Sequence, residues 1–216
     1  MGPNSRPKQR SRKTGPNSGL KQQLRKQQQK AAQAGIRRKT VIYQWRYKTP
    51  DGFSDLCMNS DGDCLTGLWF EKSEDTIKQV TACEEKELPV FRETCRWLDL
   101  YFEGKNPDFM PKYTIKNLTP FRRQVIEIMK EIPFGETVTY GDIAKKIAEN
   151  RRTGRMSAQA VGGAVGWNPL CILIPCHRVV GADGSLTGYG GGIKNKAALL
   201  AHEEKSKAER LCFHSF

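Results

Sequence analysis

Apolar residues gather into three short stretches of strand composition, residues 41–48, 53–59 and 64–70, and Asp61-Gly62 between the last two is a hairpin signal. The pattern predicts a small antiparallel sheet. Over residues 89–102 the period changes: Phe91, Cys95, Leu98 and Phe102 fall at helical spacing and Gly104 closes the run, so one helix is expected to cover that sheet. Residues 106–117 read as a linker. Thr119 then stands as an N-cap before Pro120, and Phe121, Val125, Ile128, Met129 and Ile132 share one face of a helix that Pro133-Phe134-Gly135 ends. Thr139-Tyr140-Gly141-Asp142 has the form of a capping box and opens a short helix through Ile143, Ala144 and Ile147. A polar, Arg-rich connection, residues 149–156, leads to a second short helix capped by Ser157. Two short helices and a turn predict a helix-turn-helix.

The densest apolar pattern surrounds a cysteine. In Ile172-Leu173-Ile174-Pro175-Cys176-His177-Arg178-Val179-Val180, strand-like flanks meet at a Pro175 turn that would point Cys176 into a pocket. A thiol is a useful nucleophile only as thiolate, so its unperturbed pKa of about 8.5 must be lowered by a neighbouring imidazole or cation. His177 and Arg178 are candidates for that role. On local sequence alone, a core cysteine packed as a small hydrophobe is an equal match. The loop of residues 181–192 is too glycine-rich to pack by side chains and suits close backbone approach to a ligand.

Together with residues 159–166, Asn168-Pro169 and Ala201-His202-Glu203, the Pro175-Cys176-His177-Arg178-Val179 core resembles the O6-alkylguanine-DNA alkyltransferases, also called methylated-DNA–protein-cysteine S-methyltransferases, nearer the bacterial type. The resemblance runs from about Val41 to about Glu203 and is most specific from Pro120 onward. It implies an α/β amino-terminal domain with a ribonuclease H-like arrangement, then a mainly helical domain containing the helix-turn-helix. By the same resemblance, Cys176 attacks the alkyl carbon in one in-line displacement, His177 acts as base through a water, and Glu203 orients His177. Tyr140 would protonate or hydrogen-bond the leaving guanine, and Asn168 would tie the helix-turn-helix to the cysteine segment. Tyr189 and the Gly190 amide would close over the base, with backbone carbonyls at Cys176 and Val179 reading its amino group. Because a thioether is not cleaved by thiol exchange, each molecule would act once, without a cofactor.

An alkyl group on guanine O6 lies in the base stack, so the nucleotide must be extruded at a cost of a few kcal/mol. Relatives insert an arginine where this chain has Gln159, a departure that keeps hydrogen bonding and loses charge. Ala158, Ala160 and Gly162 make a thin second helix suited to the minor groove. Arg155, with Arg151 and Arg152, is placed to meet phosphates, and Arg178 is counted among the DNA contacts. Cys171 stands where some relatives have proline, which predicts altered tolerance of bulky alkyl groups. The partner implied is double-stranded DNA carrying O6-alkylguanine, with O4-alkylthymine as a further substrate, and the protein is expected to be a monomer. Three rival classes remain: a lesion-flagging binding protein, against which Cys176 argues; a cysteine hydrolase, which leaves the helix-turn-helix unexplained; and a self-methylated regulator, which would need a further domain.

Of the formal net charge of +13 over 216 residues, nearly all lies in residues 1–39, with twelve Lys or Arg and no acidic residue against 24 basic and 23 acidic residues elsewhere. That tail lacks the apolar residues for a core and reads as a disordered phosphate-binding arm or a nuclear address; without an apolar h-region it is not a secretory signal. Seven cysteines with no CxxC pair speak against a secreted disulfide framework, and three histidines, His177, His202 and His214, leave no zinc set in the amino-terminal half, so no metal is expected. No apolar run approaches the roughly 20 residues of a membrane span. The expected organisation is a basic tail (1–39), an α/β domain (40–105), a linker (106–117), a DNA-binding and catalytic domain (118–205) and a carboxy-terminal extension (206–216). An intracellular location is expected, with a bacterial nucleoid slightly favoured over a nucleus.

Overall fold

The structure, a computed structural model, describes residues 41–75, 83–152 and 154–213. The basic tail and the last three residues of the expected extension lie outside the described residues.

Strands β1 (Ile42–Tyr47), β2 (Leu56–Ser60) and β3 (Leu65–Phe70) form an antiparallel meander, with Tyr47 opposite Leu56 and Leu56 opposite Phe70. The tight turn expected at Asp61-Gly62 joins β2 to β3, and Gly62 takes a φ of +110° there. A fourth strand, β4 (Cys83–Glu85), pairs parallel to β1, so the sheet has the order β3-β2-β1-β4 and is mixed rather than antiparallel. The first three strands are joined by short connections and must alternate in direction, whereas β4 returns after residues 71–82 and is free to run parallel. Helix α1 (Pro89–Phe102) covers this sheet with Val90, Phe91, Trp97, Leu98 and Tyr101 buried. It ends in a Schellman arrangement, Lys105 N donating to Leu100 O at 3.0 Å, with Gly104 at φ +76°. A Cβ at Gly104 would strike Ser206, which fixes the end of α1 against the carboxy-terminal helix.

The second half is helical. Helix α2 (Pro120–Lys130) is capped by Thr119 Oγ1 accepting from Arg122 N at 3.2 Å. Helix α3 (Tyr140–Arg151) opens with a full capping box, Asp142 N donating to Thr139 Oγ1 at 3.0 Å and Thr139 N to Asp142 Oδ2 at 2.8 Å. It closes on Arg152 in the left-handed region. Helix α4 (Ala158–Gly166) starts from Ser157, whose hydroxyl accepts from Ala160 N. Two short strands, β5 (Val138–Thr139) and β6 (Val179–Val180), pair in parallel and bring the start of α3 beside the residues that follow Cys176. Helix α5 (Ile193–Phe213) passes without interruption through position 205, so the boundary expected there falls inside a helix. One buried apolar cluster contains Leu68, Phe70 and Leu98 from the α/β half together with Val125, Ile143 and Ile174 from the helical half.

Candidate active site

The chain reaches Cys176 by way of the sheet. Leu68 N donates to Pro169 O at 2.8 Å and Cys171 N to Leu68 O at 3.0 Å, so the edge of β3 holds the entry to the cysteine segment. The backbone then turns tightly, with Ile174 N donating to Leu170 O at 3.0 Å and Cys176 N to Ile174 O at 2.8 Å. Ile172 takes a φ of +66°, which for a β-branched residue stores about 1–3 kcal/mol of strain. Packing of the buried residues 170–174 offsets it. Residues 172–174 are therefore a turn and not the strand-like segment expected from their composition. Full burial on every side removes the polar positions that would have revealed the difference. Cys176–Arg178 forms one 3-10 turn and leads into β6.

Asn168 organises this turn through a single amide. Its Nδ2 donates to Leu170 O, Ile174 O and Cys176 Sγ at 3.3, 2.8 and 3.0 Å, and its Oδ1 accepts from Leu170 N at 3.1 Å. Cys176 is nearly buried, and burial pushes its thiol up to about 11 against the lowering effect of the Asn168 N–H. The resting group is a thiol, so reaction requires a base.

His177 follows Cys176 in the same turn. It is fully buried, and its Nε2 lies 2.8 Å from Glu203 Oε1. Burial lowers its pKa despite that carboxylate, so the imidazole is neutral near pH 7. A carboxylate can only accept, which puts the proton on Nε2 and the lone pair on Nδ1. Nδ1 is buried without a partner, and no hydrogen bond runs directly from His177 to Cys176. Glu203 receives Tyr101 Oη at 2.7 Å, Arg178 Nε at 2.9 Å and Gly135 N at 2.9 Å in addition to His177. Burial alone would raise its pKa, but hydrogen bonds and charge from His177 and Arg178 hold it well below the usual carboxylate range. Arg178 is itself buried, bonding Glu203 through Nε and Nη2 and Ile132 O through Nη1 at 2.7 Å. The expectation that Arg178 touches DNA is corrected here: its guanidinium is spent on a buried carboxylate that would otherwise lack a counterion.

The opposite wall comes from α3 and the glycine loop. Tyr140, the first residue of α3, donates from Oη to Thr187 O at 3.0 Å. Lys196, fully buried on α5, donates from Nζ to Val179 O at 2.6 Å and Thr187 O at 3.1 Å and lies 6.0 Å from the Tyr140 ring and 5.9 Å from the Tyr189 ring. Val179 O thus already accepts one hydrogen bond, and Cys176 O accepts from Val179 N. Tyr189 is buried with its hydroxyl unpartnered. Gly190 O accepts from Asp75 N at 3.2 Å, and a Cβ at Gly190 would overlap the Asp75 carboxylate.

Away from this pocket, Ala158, Gln159 and Ala160 are exposed along α4, and Arg155 with Arg152 is exposed beside them. A Cβ at Gly163 would meet nothing within 4 Å, and one at Gly162 only the Tyr140 ring at 3.9 Å. Internal packing therefore does not require these glycines. The structure thus gathers Cys176, His177, Glu203, Asn168, Tyr140, Val179, Tyr189 and Gly190 around one turn and leaves Gln159, Ala158, Ala160 and Arg155 on an outer face. Sequence reasoning missed Tyr101, Lys196 and Asp75. An aromatic at helical spacing reads as core, and a lysine or aspartate in a polar stretch reads as solvated, so only tertiary contacts single them out.

Residues 120–205 match the family described as "6-O-methylguanine DNA methyltransferase, DNA binding domain". Over 165 residues the chain is 37% identical to a methylated-DNA–protein-cysteine methyltransferase of Haemophilus influenzae, covering 76% of this chain and 88% of that protein. It is 45% identical over 159 residues to the protein of that name from Methanosarcina barkeri, covering 74% and 95%. A crystal structure of Mycobacterium tuberculosis OGT in complex with DNA superposes with a TM-score of 0.64 at 34% identity, covering 76% of this chain and 94% of that one.

Proposed function

The chain belongs to the methylated-DNA–protein-cysteine methyltransferase family, and from that premise we propose that Cys176 is the residue on which it accepts the alkyl group of O6-alkylguanine. The reaction is direct-transfer DNA repair. The observation that carries the assignment of Cys176 is its Sγ, held at 3.0 Å by Asn168 beside a His177–Glu203 pair whose free imidazole nitrogen is sealed from bulk water.

In this reading the thiol proton passes to His177 Nδ1 through a bridging water. The thiolate attacks the alkyl carbon, the new C–S bond forms as the C–O6 bond breaks, and the electron pair leaves with guanine. Tyr140 Oη, released from Thr187 O, donates to the departing base; burial keeps its pKa raised, which makes it a hydrogen-bond donor first. The net change moves one proton from sulfur to guanine and one alkyl group the other way. Tyr189 and Gly190 border the base, and Lys196 holds both sides of its pocket together. Helices α3 and α4 are read as the helix-turn-helix, with Ala158, Ala160 and Gly162 against the minor groove, Gln159 filling the gap left by the extruded base and Arg155 meeting phosphate. The α/β half is read as ribonuclease H-like, O4-alkylthymine as a further substrate, and the basic tail as a nonspecific phosphate arm.

Mass analysis of the protein and its peptides, after mixing with duplex DNA bearing one O6-methylguanine, tests the assignment. One added methylene on Cys176, guanine restored, no second turnover and no transfer to Cys176→Ala are expected. Tight lesion binding without a mass change would point instead to a lesion-flagging protein.

A further inference from the structure

We propose that Tyr101 is a positioning residue for alkyl transfer: its hydroxyl, donated to the Glu203 oxygen that meets His177 Nε2, sets the orientation and basicity of the imidazole that serves Cys176. The inference rests on the reading of His177 as the base. It brings helix α1 of the α/β half into the chemistry.

Tyr101 is fully buried, with Oη 2.7 Å from Glu203 Oε1 and 3.5 Å from His177 Nε2. Its ring stacks on Trp97 at 5.6 Å and meets Phe134 edge-on at 5.8 Å, while its carbonyl oxygen lies 2.9 Å from His202 Nε2. The ring cannot swing. Nothing in that aromatic cage requires a hydroxyl; phenylalanine would fill it equally. The hydroxyl's one close acceptor is the oxygen the base also uses. Burial and the neighbouring carboxylate push the phenol pKa well above its ordinary value, so the group stays a neutral donor.

The charged groups acting on His177 are Glu203 and Lys196 from α5 and Arg178 from its own turn. By donating to Oε1, Tyr101 absorbs part of the carboxylate's pull on the Nε2 proton. Without it, Glu203 would stabilise the imidazolium more strongly, the His177 pKa would rise, and the free base would be lost at higher pH.

Two readouts in Tyr101→Phe test this: titration of the His177 imidazole by NMR in unreacted protein, and the pH dependence of the single-turnover methyl-transfer rate. Both His177 and the acid limb of the rate are expected to move up by about 0.5–1 pH unit. Trp97→Phe, which loosens the same cage without touching Glu203, should move neither. Incorporating 3-fluorotyrosine at position 101 keeps the ring, strengthens the donor and should move both readouts down; it also serves if Tyr101→Phe does not fold. An unmoved titration in either folded variant, or an equal shift in Trp97→Phe, overturns the proposal. Absence of methyl on Cys176 in the unaltered protein would overturn the base assignment itself, and the mass measurement tells the two failures apart.

Discussion

Glu203 and Gly163 belong to the same half of the molecule and follow opposite rules. Glu203 is fully buried and receives hydrogen bonds from four residues, Tyr101, Gly135, His177 and Arg178. Around Gly163 a side chain would find nothing to touch. One region is built by surrounding a buried carboxylate with fixed donors, the other by leaving side chains out. The difference teaches that, in the proposed reading, reactivity and DNA approach are separable: the first would depend on what is present in the core, the second on what is missing from a surface helix.

The sharpest break of this contrast is Glu203→Gln. It leaves Arg178 buried without a counterion, and we expect a loss of about 3–5 kcal/mol in urea unfolding. Methyl transfer should slow by at least about 10²-fold as His177 loses its anchor. The sign with pH is fixed: the folded protein holds Glu203 below its ordinary 4.5, so its contribution is complete above that pH and is lost as pH falls below it. The stability gap between the unaltered protein and the variant should therefore narrow in acid, and a gap independent of pH would sink the argument. Next in size is Gly163→Ala. In an exposed helix interior it should add about 0.5–1 kcal/mol of stability, yet weaken duplex binding several-fold by holding α4 off the groove. Gains in both would mean that α4 does not face DNA. Smallest is Gln159→Arg, expected to leave stability within about 0.5 kcal/mol. It should tighten duplex binding several-fold and, where the new charge reaches a phosphate, steepen the salt dependence by about 0.9 in log–log slope. Unchanged binding would show that Gln159 already gives all the support this position can give.

What the sequence disclosed and withheld follows the same division. Helix starts were legible because caps are local: Thr119 before Pro120, Thr139 with Asp142, and Ser157 all act within three residues of themselves. The pairing of β4 was not, because Cys83–Glu85 is short and largely charged, and its strand character comes only from its place beside β1. In the site, Cys176, His177 and Glu203 stood out through a motif. The surroundings that tune them did not. Arg178 read as a surface cation because arginine usually is one, and its burial is set by Glu203, 25 residues away in sequence. Tyr101 lies 102 residues from its acceptor. The left-handed Ile172 has no local signal at all.

The edges of the sheet have a consequence for supply. A protein consumed one copy per lesion has to be kept in reserve, folded and unspent, until damage occurs. On one side β3 has its backbone taken by Lys112 and Thr114 through Leu65, and by Pro169 and Cys171 through Leu68. On the other, β4 is three residues long and exposes Glu84 and Glu85. Among the described residues, neither offers a long, flat row of free amides on which another chain could grow a strand. The contacts that hold the cysteine segment on the first side thus also occupy an edge that would otherwise be open to strand addition.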